Sequence, residues 1–198
     1  MRQLPASFFA RDTTLVAKEL LGKIISVNGF QARIVETEAY GSDPASHAYT
    51  RTPRSAIMYD TYAHVYVYLI YGMYECLNFT TEKPNIPGAV LIRAVEPLNK
   101  ISELQTLRNT NKIEELCSGP GKLCSALGIT RNLNNTKLGQ KIKVYDDGYK
   151  NRKVATSSRI GIKDALDLQW RFYLQQNEFV SKVHSNPTKN KKFINSWG

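Results

Sequence analysis

The chain has 198 residues, 42% hydrophobic and 22% charged, and its 27 lysines and arginines outnumber 17 acidic residues to give a formal net charge of +10. This length and composition fit a globular protein with a buried core, and we expect one domain over residues 1–198. They exclude a membrane-spanning protein, because the sequence has no long apolar segment. The excess positive charge favours a polyanionic partner, nucleic acid before a membrane surface.

The cysteines and the first residues bear on where the protein works. The three cysteines, Cys76, Cys117 and Cys124, fit neither a disulfide framework nor a paired metal-binding motif, so we interpret them as reduced, buried thiols. Residues 1–14 lack the apolar stretch of a signal peptide. We therefore expect a cytoplasmic protein.

The first predicted element is a short helix. Residues 12–14, Asp-Thr-Thr, carry N-capping side chains, and the following LVAKELLG has apolar residues at helical spacing before Gly22 ends the element. Its predicted core face is formed by Leu15, Val16, Leu20 and Leu21.

A β-hairpin is predicted next. Strands over residues 23–27 and 30–40 flank Asn28 and Gly29, a dipeptide typical of a tight two-residue turn. The second strand is therefore expected to belong to an antiparallel sheet.

The end of that second strand holds the first candidate site. Strand alternation places Ile34, Glu36, Glu38 and Tyr40 on one face. A carboxylate next to a tyrosine is a candidate general base beside a surface that binds a ring. Glutamates at this spacing are more often solvated or ion-paired, and from these residues alone both interpretations stay open.

A long loop is predicted over residues 41–64, because this segment has two prolines, many small polar residues and no sustained period. Long loops inside compact domains tend to be functional. This one carries His47, Arg51 and Arg54. A lone loop histidine is more often a surface residue than a ligand or an acid, but its position soon after Glu38 favours a function.

A tyrosine-rich hairpin is predicted over residues 65–80, with its turn near residues 71–73. Alternation turns Tyr68 toward the interior, while Tyr71 at the tip can point outward. Strands rich in tyrosine are usually only well-packed sheet, so the pattern by itself favours a structural role.

A mostly apolar strand over residues 88–95 is interrupted by Arg93. An isolated buried charge costs several kcal/mol, so we expect Arg93 to have a carboxylate or phosphate partner. The candidates are Glu36, Glu38 and Glu96.

The remaining segments are less informative. Residues 98–116 are predicted helical, and residues 116–129 form a Gly/Pro turn into a short helix whose N–H groups could hold a phosphate with Lys122, although the spacing is not that of a Walker loop. A last apolar strand is predicted over residues 170–174. The basic tail, residues 186–198, is expected to be mobile.

Seven segments, taken together and in order, resemble the alkyladenine (3-methyladenine) DNA glycosylase family. They extend from about Phe8 to Leu174 and read FFARDTTLVAKELLGK, ARIVETEAYG, ASHAYTRTPRSAIM, YVYLIYGMYECLNFT, AVLIRAVEP, LCSGPGKLC and RIGI followed by WRFYL. Each segment alone is weak evidence, and their shared order makes coincidence improbable.

The resemblance implies a monofunctional base-excision enzyme that flips damaged purines out of duplex DNA and hydrolyses the N-glycosidic bond with water. By position, Glu38 would be the general base that activates the water, and Arg93 would help to place it. Glu36 lies on the same predicted face, and a role in support of Glu38 or in its place stays open.

The resemblance also implies a pocket for the flipped base. Tyr40, His47 and Tyr68 would line it, and Asn78 would stand at its wall against the exocyclic amine of normal guanine. Tyr71 would be the wedge that fills the gap left in the base stack. Arg54 and Lys122 are candidate phosphate contacts.

The implied partner is double-stranded DNA containing damaged purines, and the protein is expected to act as a monomer. No metal, no cofactor and no membrane partner is expected. The expected location is then the nucleoid in a prokaryote or the nucleus in a eukaryote. No lysine is predicted to attack the sugar, so we expect no strand-nicking lyase step. The alternatives are a non-catalytic nucleic-acid-binding protein and an enzyme acting on small nucleosides.

The predicted fold class is α+β. We expect one mixed domain with a curved, largely antiparallel β-sheet, peripheral helices and a protruding β-hairpin at Tyr71.

Overall fold

The computed structural model describes residues 1–150 and 153–182, and shows an α+β domain built on one curled antiparallel sheet. The strands are β1 (Arg2–Gln3), β2 (Ile24–Val27), β3 (Phe30–Tyr40), β4 (Val65–Ile70), β5 (Tyr74–Thr80), β6 (Ala89–Pro97), β7 (Lys143–Asp146), β8 (Val154–Ser157) and β9 (Arg171–Leu174). The helices are α1 (Thr13–Leu20), α2 (Ala56–Asp60), α3 (Ile101–Arg108) and α4 (Pro120–Leu127). The predicted fold class is confirmed, and the basic tail lies outside the described residues.

The longest strand, β3, lies at the centre of the sheet. The order along the sheet is β1-β7-β2-β3-β6-β5-β4, and β9 pairs with both β3 and β8. Along one edge β3 pairs first with β2 and then with β9, and along the other edge it pairs with β6. The predicted β2–β3 hairpin is confirmed, since Asn28 and Gly29 have φ angles of 51° and 80°, as this turn requires.

The pairing of β3 with β6 is interrupted by two compensating shifts. Ile34 pairs with Val95, Glu36 with Ala94, and Thr37 with Ile92, so Val35 is an extra residue on one strand and Arg93 on the other. Such irregularities re-aim side chains and are frequent next to active sites. Here they bracket Glu36.

Helix α1 packs against this central strand. The Asp12 carboxylate accepts a hydrogen bond from the Leu15 N–H, which confirms the predicted cap. The helix buries Thr13, Val16, Ala17 and Leu20, the i, i+3, i+4, i+7 stripe of one face. Leu15 was wrongly predicted to be in the core: it lies about 100° away from Val16 around the helix and is 42% exposed.

Two predicted segments contain different structure from that expected. The predicted loop over residues 41–64 includes α2 and a 3-10 helix, His47–Tyr49. The helical segment predicted over residues 98–116 contains two separate elements, α3 and a 3-10 helix, Ile113–Glu115. Helix α3 ends where Asn109 adopts a left-handed φ of 48°. The predicted hairpin over residues 65–80 is confirmed as β4 and β5.

The buried side chains form two clusters. The larger one includes side chains of α1, α4 and the sheet. The smaller one, Ala48, Met58, Tyr66 and Ala89, has Tyr40, Ile57, Tyr59 and Tyr68 packed against it. Met58, Tyr66 and Ala89 of this cluster, with Tyr40 and Tyr68 packed against it, also line the cleft described next.

The three cysteines are free and buried, as predicted. Burial raises the pKa of Cys76 to about 11 and that of Cys117 to about 12, so these thiols stay protonated at neutral pH. Within residues 1–150 and 153–182, no helix has the length and apolar character needed to cross a membrane.

Candidate active site

A cleft of about 760 Å³ opens at the end of β3. Its walls come from the segment after β3, the β4–β5 hairpin, the first residues of α4 and the loop at residues 160–164. Seven of the nine residues predicted for the site line it: Tyr40, His47, Arg54, Tyr68, Tyr71, Asn78 and Arg93. Glu38 is fully buried and bonded to two of these lining residues, and Lys122 lies outside the lining.

The Glu38 carboxylate is held by three hydrogen bonds. Its Oε2 atom accepts from the Tyr40 hydroxyl at 2.8 Å and from Arg93 Nη1 at 3.2 Å, and its Oε1 atom accepts from the Ile160 N–H at 2.7 Å. A carboxylate offers about four acceptor positions. Among the residues that the structure describes, Glu38 has donors for three of them, so one position on Oε1 is open to a further donor.

Glu36 is equally buried and receives four hydrogen bonds. Oε1 accepts from Arg93 Nε at 3.1 Å, Arg171 Nε at 2.6 Å and Ser181 Oγ at 2.8 Å. Oε2 accepts from the Ser181 N–H at 2.7 Å. The two glutamates therefore differ in their partners: two of the three donors to Glu38, Tyr40 and Arg93, line the cleft, whereas Glu36 shares only Arg93 with it.

Arg93 joins the two carboxylates. The predicted ion pairing is confirmed with both Glu36 and Glu38, whereas Glu96 accepts a hydrogen bond from Asn177 instead. Burial by itself lowers the pKa of Arg93, but Glu38 and Glu36 raise it, and the guanidinium stays charged. Since it also lines the cleft, it has N–H groups available to a bound molecule.

Tyr40 keeps its hydroxyl proton, and its ring lies against Arg159. Burial and the negative charge of Glu38 raise the pKa of its hydroxyl far above the ordinary value, so it remains a donor. The guanidinium of Arg159 lies 4.6 Å from the centre of the Tyr40 ring. Arg159 is itself clamped by both carboxylate oxygens of Asp43, at 2.6 and 3.1 Å, which places the neighbouring Ile160 N–H against Glu38.

An aromatic wall lines the opposite side of the cleft. The Nδ1 atom of His47 is 3.0 Å from the Tyr66 hydroxyl, and its ring packs edge-on against Tyr68 at 4.6 Å. Partial desolvation and the nearby Arg54 lower the pKa of His47 below its ordinary value, so the imidazole is neutral at neutral pH. Tyr68 also carries the Arg54 guanidinium over its ring, 5.1 Å from the centroid.

Asn78 is buried at the cleft with a fixed orientation. Its amide nitrogen donates to the carbonyl oxygens of Tyr66 and Cys76, at 3.1 and 3.2 Å. Because both partners are acceptors, only the NH₂ group can face them. The Oδ1 atom is then the remaining polar atom of this side chain.

Tyr71 forms the tip of the β4–β5 hairpin. It is 78% exposed and has a φ of 53°, followed by Gly72 with a φ of 69°. Two successive positive φ angles make a tight hairpin turn, closed by a hydrogen bond from the Met73 N–H to the Ile70 carbonyl. A bulky residue in this conformation is uncommon and costs about 1–3 kcal/mol. The exposed ring gains no burial in return, which favours a functional role.

The basic residues lie at different places around the cleft. Arg54 stands at its rim, and Lys122 Nζ is 4.0 Å from Glu115. Neither phosphate contact is tested by this geometry, and both stay predictions. Lys163 lines the cleft and was not among the residues predicted for the site. In the part of the chain that the structure describes, no cluster of three or more His, Cys, Asp or Glu side chains could hold a metal ion.

Sequence reasoning missed several side chains that build the site: Asp43, Tyr66, Arg159, Arg171 and Ser181. A usable signal existed for one of them. Arg171 interrupts an apolar strand just as Arg93 does, and the same desolvation argument demands a carboxylate partner. The others act through partners that are 19 to 145 residues away, which no local pattern reveals.

The fold and the site define an enzyme that holds a buried carboxylate beneath an aromatic cleft with basic residues at its rim. The sequence model of the family described as Methylpurine-DNA glycosylase matches residues 7–178. A Clostridium perfringens protein named "Putative 3-methyladenine DNA glycosylase" is 45% identical over 91% of this chain and 99% of its own length. Proteins of the same name from Clostridium novyi and Alkaliphilus oremlandii are 42% and 43% identical, over 92% and 91% of this chain and 100% and 99% of theirs.

The chain belongs to the methylpurine-DNA glycosylase family. It is a DNA-repair hydrolase that acts on N-glycosidic bonds, with DNA as its substrate. The resemblance found in the sequence is confirmed, and the non-catalytic alternative is set aside.

Proposed function

We propose that this protein flips alkylated or deaminated purines out of duplex DNA and hydrolyses their N-glycosidic bond with a water that Glu38 activates, leaving an abasic site. The substrates are 3-methyladenine, 7-methylguanine and hypoxanthine. The observation that carries the proposal is the buried Glu38 carboxylate, which has an open acceptor position on Oε1 and is hydrogen-bonded through Oε2 to Tyr40 and Arg93 of the cleft lining.

The proposed reaction uses one carboxylate. Glu38 takes a proton from the water, the water oxygen bonds to C1′ of the sugar, and the C1′–N9 bond breaks with its electrons going to the purine. A base methylated at N3 or N7 is cationic and leaves as a neutral molecule, so it needs little acid help. Glu38 also stabilises the developing positive charge on the sugar, as carboxylates do in glycoside cleavage. Arg93, charged and facing the cleft, helps to place the water.

The pocket suits a flipped, cationic ring. Tyr40 and Tyr68 present aromatic surfaces, which attract a desolvated cation by about 0.5–2 kcal/mol. Extrusion of a nucleotide costs a few kcal/mol, and Tyr71 recovers part of it by stacking in the gap, about 1–3 kcal/mol. Asn78 stands at the pocket wall against the exocyclic amine of guanine, and His47 contributes the edge of the pocket.

The wedge, the pocket and the carboxylate lie on one chain, so we propose that a monomer acts, in the compartment that holds the DNA. We also propose that the enzyme is monofunctional. Lys163 lines the cleft, but the described hydrogen bonds to Glu38 come from Tyr40, Arg93 and Ile160. Replacing Lys163 by alanine should leave base release intact, and borohydride should trap no covalent adduct with the native protein.

Labelled duplexes test the proposal directly. Each carries one 3-methyladenine, 7-methylguanine, hypoxanthine or normal guanine. The free base released by the protein is measured, and strand breaks are measured with and without subsequent alkali. We expect free base from the three lesions and strand breaks only after alkali. Release from none of the duplexes, or breaks without alkali, would contradict the proposed reaction.

A further inference from the structure

Glu36 has no task in the proposed reaction, although its placement is unusually constrained. It is fully buried, it receives four hydrogen bonds, and its partners are two arginines and both donors of Ser181. Two buried guanidinium groups donate to this one carboxylate. Burying a charge costs desolvation free energy, so we expect Glu36 to have a role that offsets this cost.

We propose that Glu36 is a positioning residue, which holds Arg93 against Glu38 and supplies the second negative charge of a neutral buried cluster. The inference rests on the proposed function, in which Glu38 is the base.

The geometry explains why Arg93 needs such a support. It is the extra residue of β6 and has no pairing partner on β3, so the strand ladder does not set its direction. Its Nε atom donates to Glu36 and its Nη1 atom to Glu38, at 3.1 and 3.2 Å. Because the guanidinium is planar, the bond at Nε fixes the plane in which Nη1 reaches Glu38.

The charges explain the second part of the role. Glu36, Glu38, Arg93 and Arg171 are all less than 10% exposed, and their formal charges cancel. Without Glu36, two cations would face Glu38 alone. Stronger stabilisation of the Glu38 anion makes it a weaker base for the water.

Ser181 completes the arrangement from the far end of the described chain. It donates both its N–H and its hydroxyl to Glu36. It lies beyond residue 178, where the match to the family model ends. The segment that carries it is attached to the sheet through Gln175, whose N–H donates to the Lys153 carbonyl, and through Asn177, which donates to Glu96.

A pH profile separates this role from a merely structural one. The charged and titratable groups that face Glu38 are Glu36 and Tyr40 from β3, Arg93 from β6, Tyr68 from β4, Cys76 from β5, Arg171 from β9, and Arg159 beside Ile160. The change Glu36→Gln keeps the shape of the side chain and removes one negative charge from this set. We expect the acid limb of the rate profile to move to lower pH by about one unit, the size of a unit-charge effect at this range.

The experiment is single-turnover release of 7-methylguanine as a function of pH, since this cationic base needs no protonation in order to leave. The variants are Glu36→Gln, Glu38→Gln, Ser181→Ala and Ser181→Thr. We expect Glu36→Gln to be about 10- to 100-fold slower, as for other outer partners that orient a functional group, with the lowered acid limb. Glu38→Gln should lose about 10²- to 10⁴-fold and its acid limb altogether. Ser181→Ala should be several-fold slower, with Ser181→Thr restored toward the native rate.

The outcomes are distinct. A native protein that releases no base defeats the proposed function. An active native protein, an inactive Glu38→Gln and a Glu36→Gln with the native rate and profile overturn only the positioning role. Loss of the acid limb in Glu36→Gln as well would show a shared base and also overturn it. Circular dichroism reports folding, and if Glu36→Gln does not fold, an unchanged rate in Ser181→Ala overturns the proposal.

Discussion

Glu36 and Glu38 are identical side chains two residues apart on β3, yet they receive different donors. Glu38 accepts from a phenol, a guanidinium and one backbone N–H. Glu36 accepts from two guanidinium groups and both donors of one serine. At the scale of single residues, the different roles proposed for the two carboxylates rest on this difference in donors.

Tyr40 offers a test in the opposite direction to Glu36. A hydrogen bond to a carboxylate favours its charged form, so Tyr40→Phe should move the acid limb of 7-methylguanine release to higher pH. The rate should nevertheless fall by about 10- to 100-fold, because the carboxylate loses a hydrogen bond of about 1.5–3 kcal/mol that holds its orientation. Tyr49→Phe, at an exposed residue outside the cleft lining, is the matched control. A limb that stays in place or moves to lower pH would show that the hydroxyl does not act on Glu38.

Residue-level prediction from sequence succeeded where one physical rule was enough. The cost of burying an unpaired charge predicted carboxylate partners for Arg93, and two of the three candidates are its partners. Arg171 obeys the same rule, since it interrupts an apolar strand and pairs with Glu36. The pairing of Asp43 with Arg159 spans 116 residues, and it depends on the course of the whole chain.

At the scale of elements, the β4–β5 hairpin carries the clearest functional signal. Its turn, its strands and the outward placement of Tyr71 follow from local pattern and were all predicted. The local pattern does not predict which other elements contact the hairpin. Gly121 of α4 packs against Tyr74, and a Cβ there would lie 3.0 Å from that ring, so the base of the hairpin is braced by a distant helix.

Tyr71→Ala tests the wedge. The ring is exposed, so its loss should leave the free energy of unfolding within about 0.5 kcal/mol of the native value. Hypoxanthine release should slow by about 5- to 150-fold, since base–aromatic stacking contributes about 1–3 kcal/mol. Tyr71→Phe keeps the ring and should stay near the native rate. Equal rates for the alanine and phenylalanine variants would remove Tyr71 from the mechanism.

The cap of α1 gives a stability prediction with a pH dependence. A hydrogen bond from the Thr14 hydroxyl lowers the pKa of the Asp12 carboxyl below 3.8, and the hydrogen bond from the Leu15 N–H also lowers it. A lowered pKa in the folded state means that the stabilisation is present above pH 3.8 and is lost as the pH falls through the folded value. Asp12→Ala should therefore cost about 1 kcal/mol at pH 7, and less in acid.

Urea denaturation at pH 7 and pH 3 measures this difference. Asp12→Asn is the control, because asparagine caps about as well as aspartate. An equal loss for Asp12→Ala at both pH values would mean that the charge of Asp12 plays no part in the cap. The same helix shows a limit of sequence patterns: Leu15 looked like a core residue, and only the position of the helix start excludes it from the buried stripe.

At the scale of the whole molecule, fold class and charge were predictable, whereas the closure of the sheet was not. The hairpins follow from turns and alternation. The pairing of β9 with β3 joins residues 133 to 137 positions apart in the sequence, and it brings Arg171 to Glu36. Nothing within either strand specifies that neighbour.

The net charge of +10 predicts strongly salt-dependent DNA binding. The logarithm of the binding constant should fall with the logarithm of salt concentration by about 0.9 for each phosphate neutralised. If Lys122 contacts a phosphate, Lys122→Gln should reduce that slope by about 0.9, and Lys100→Gln on the N-terminal side of α3 should leave it unchanged. A flat salt response of the native protein would contradict a phosphate-dominated interface.

The most direct test of the central claim compares the native protein with Glu38→Gln on one duplex that carries 7-methylguanine, with binding and single-turnover release measured on the same samples. The substitution keeps the size of the side chain and removes its ability to take a proton. We predict binding within about threefold of native and release slower by about 10²- to 10⁴-fold. Release at the native rate with native binding would show that Glu38 is not the base.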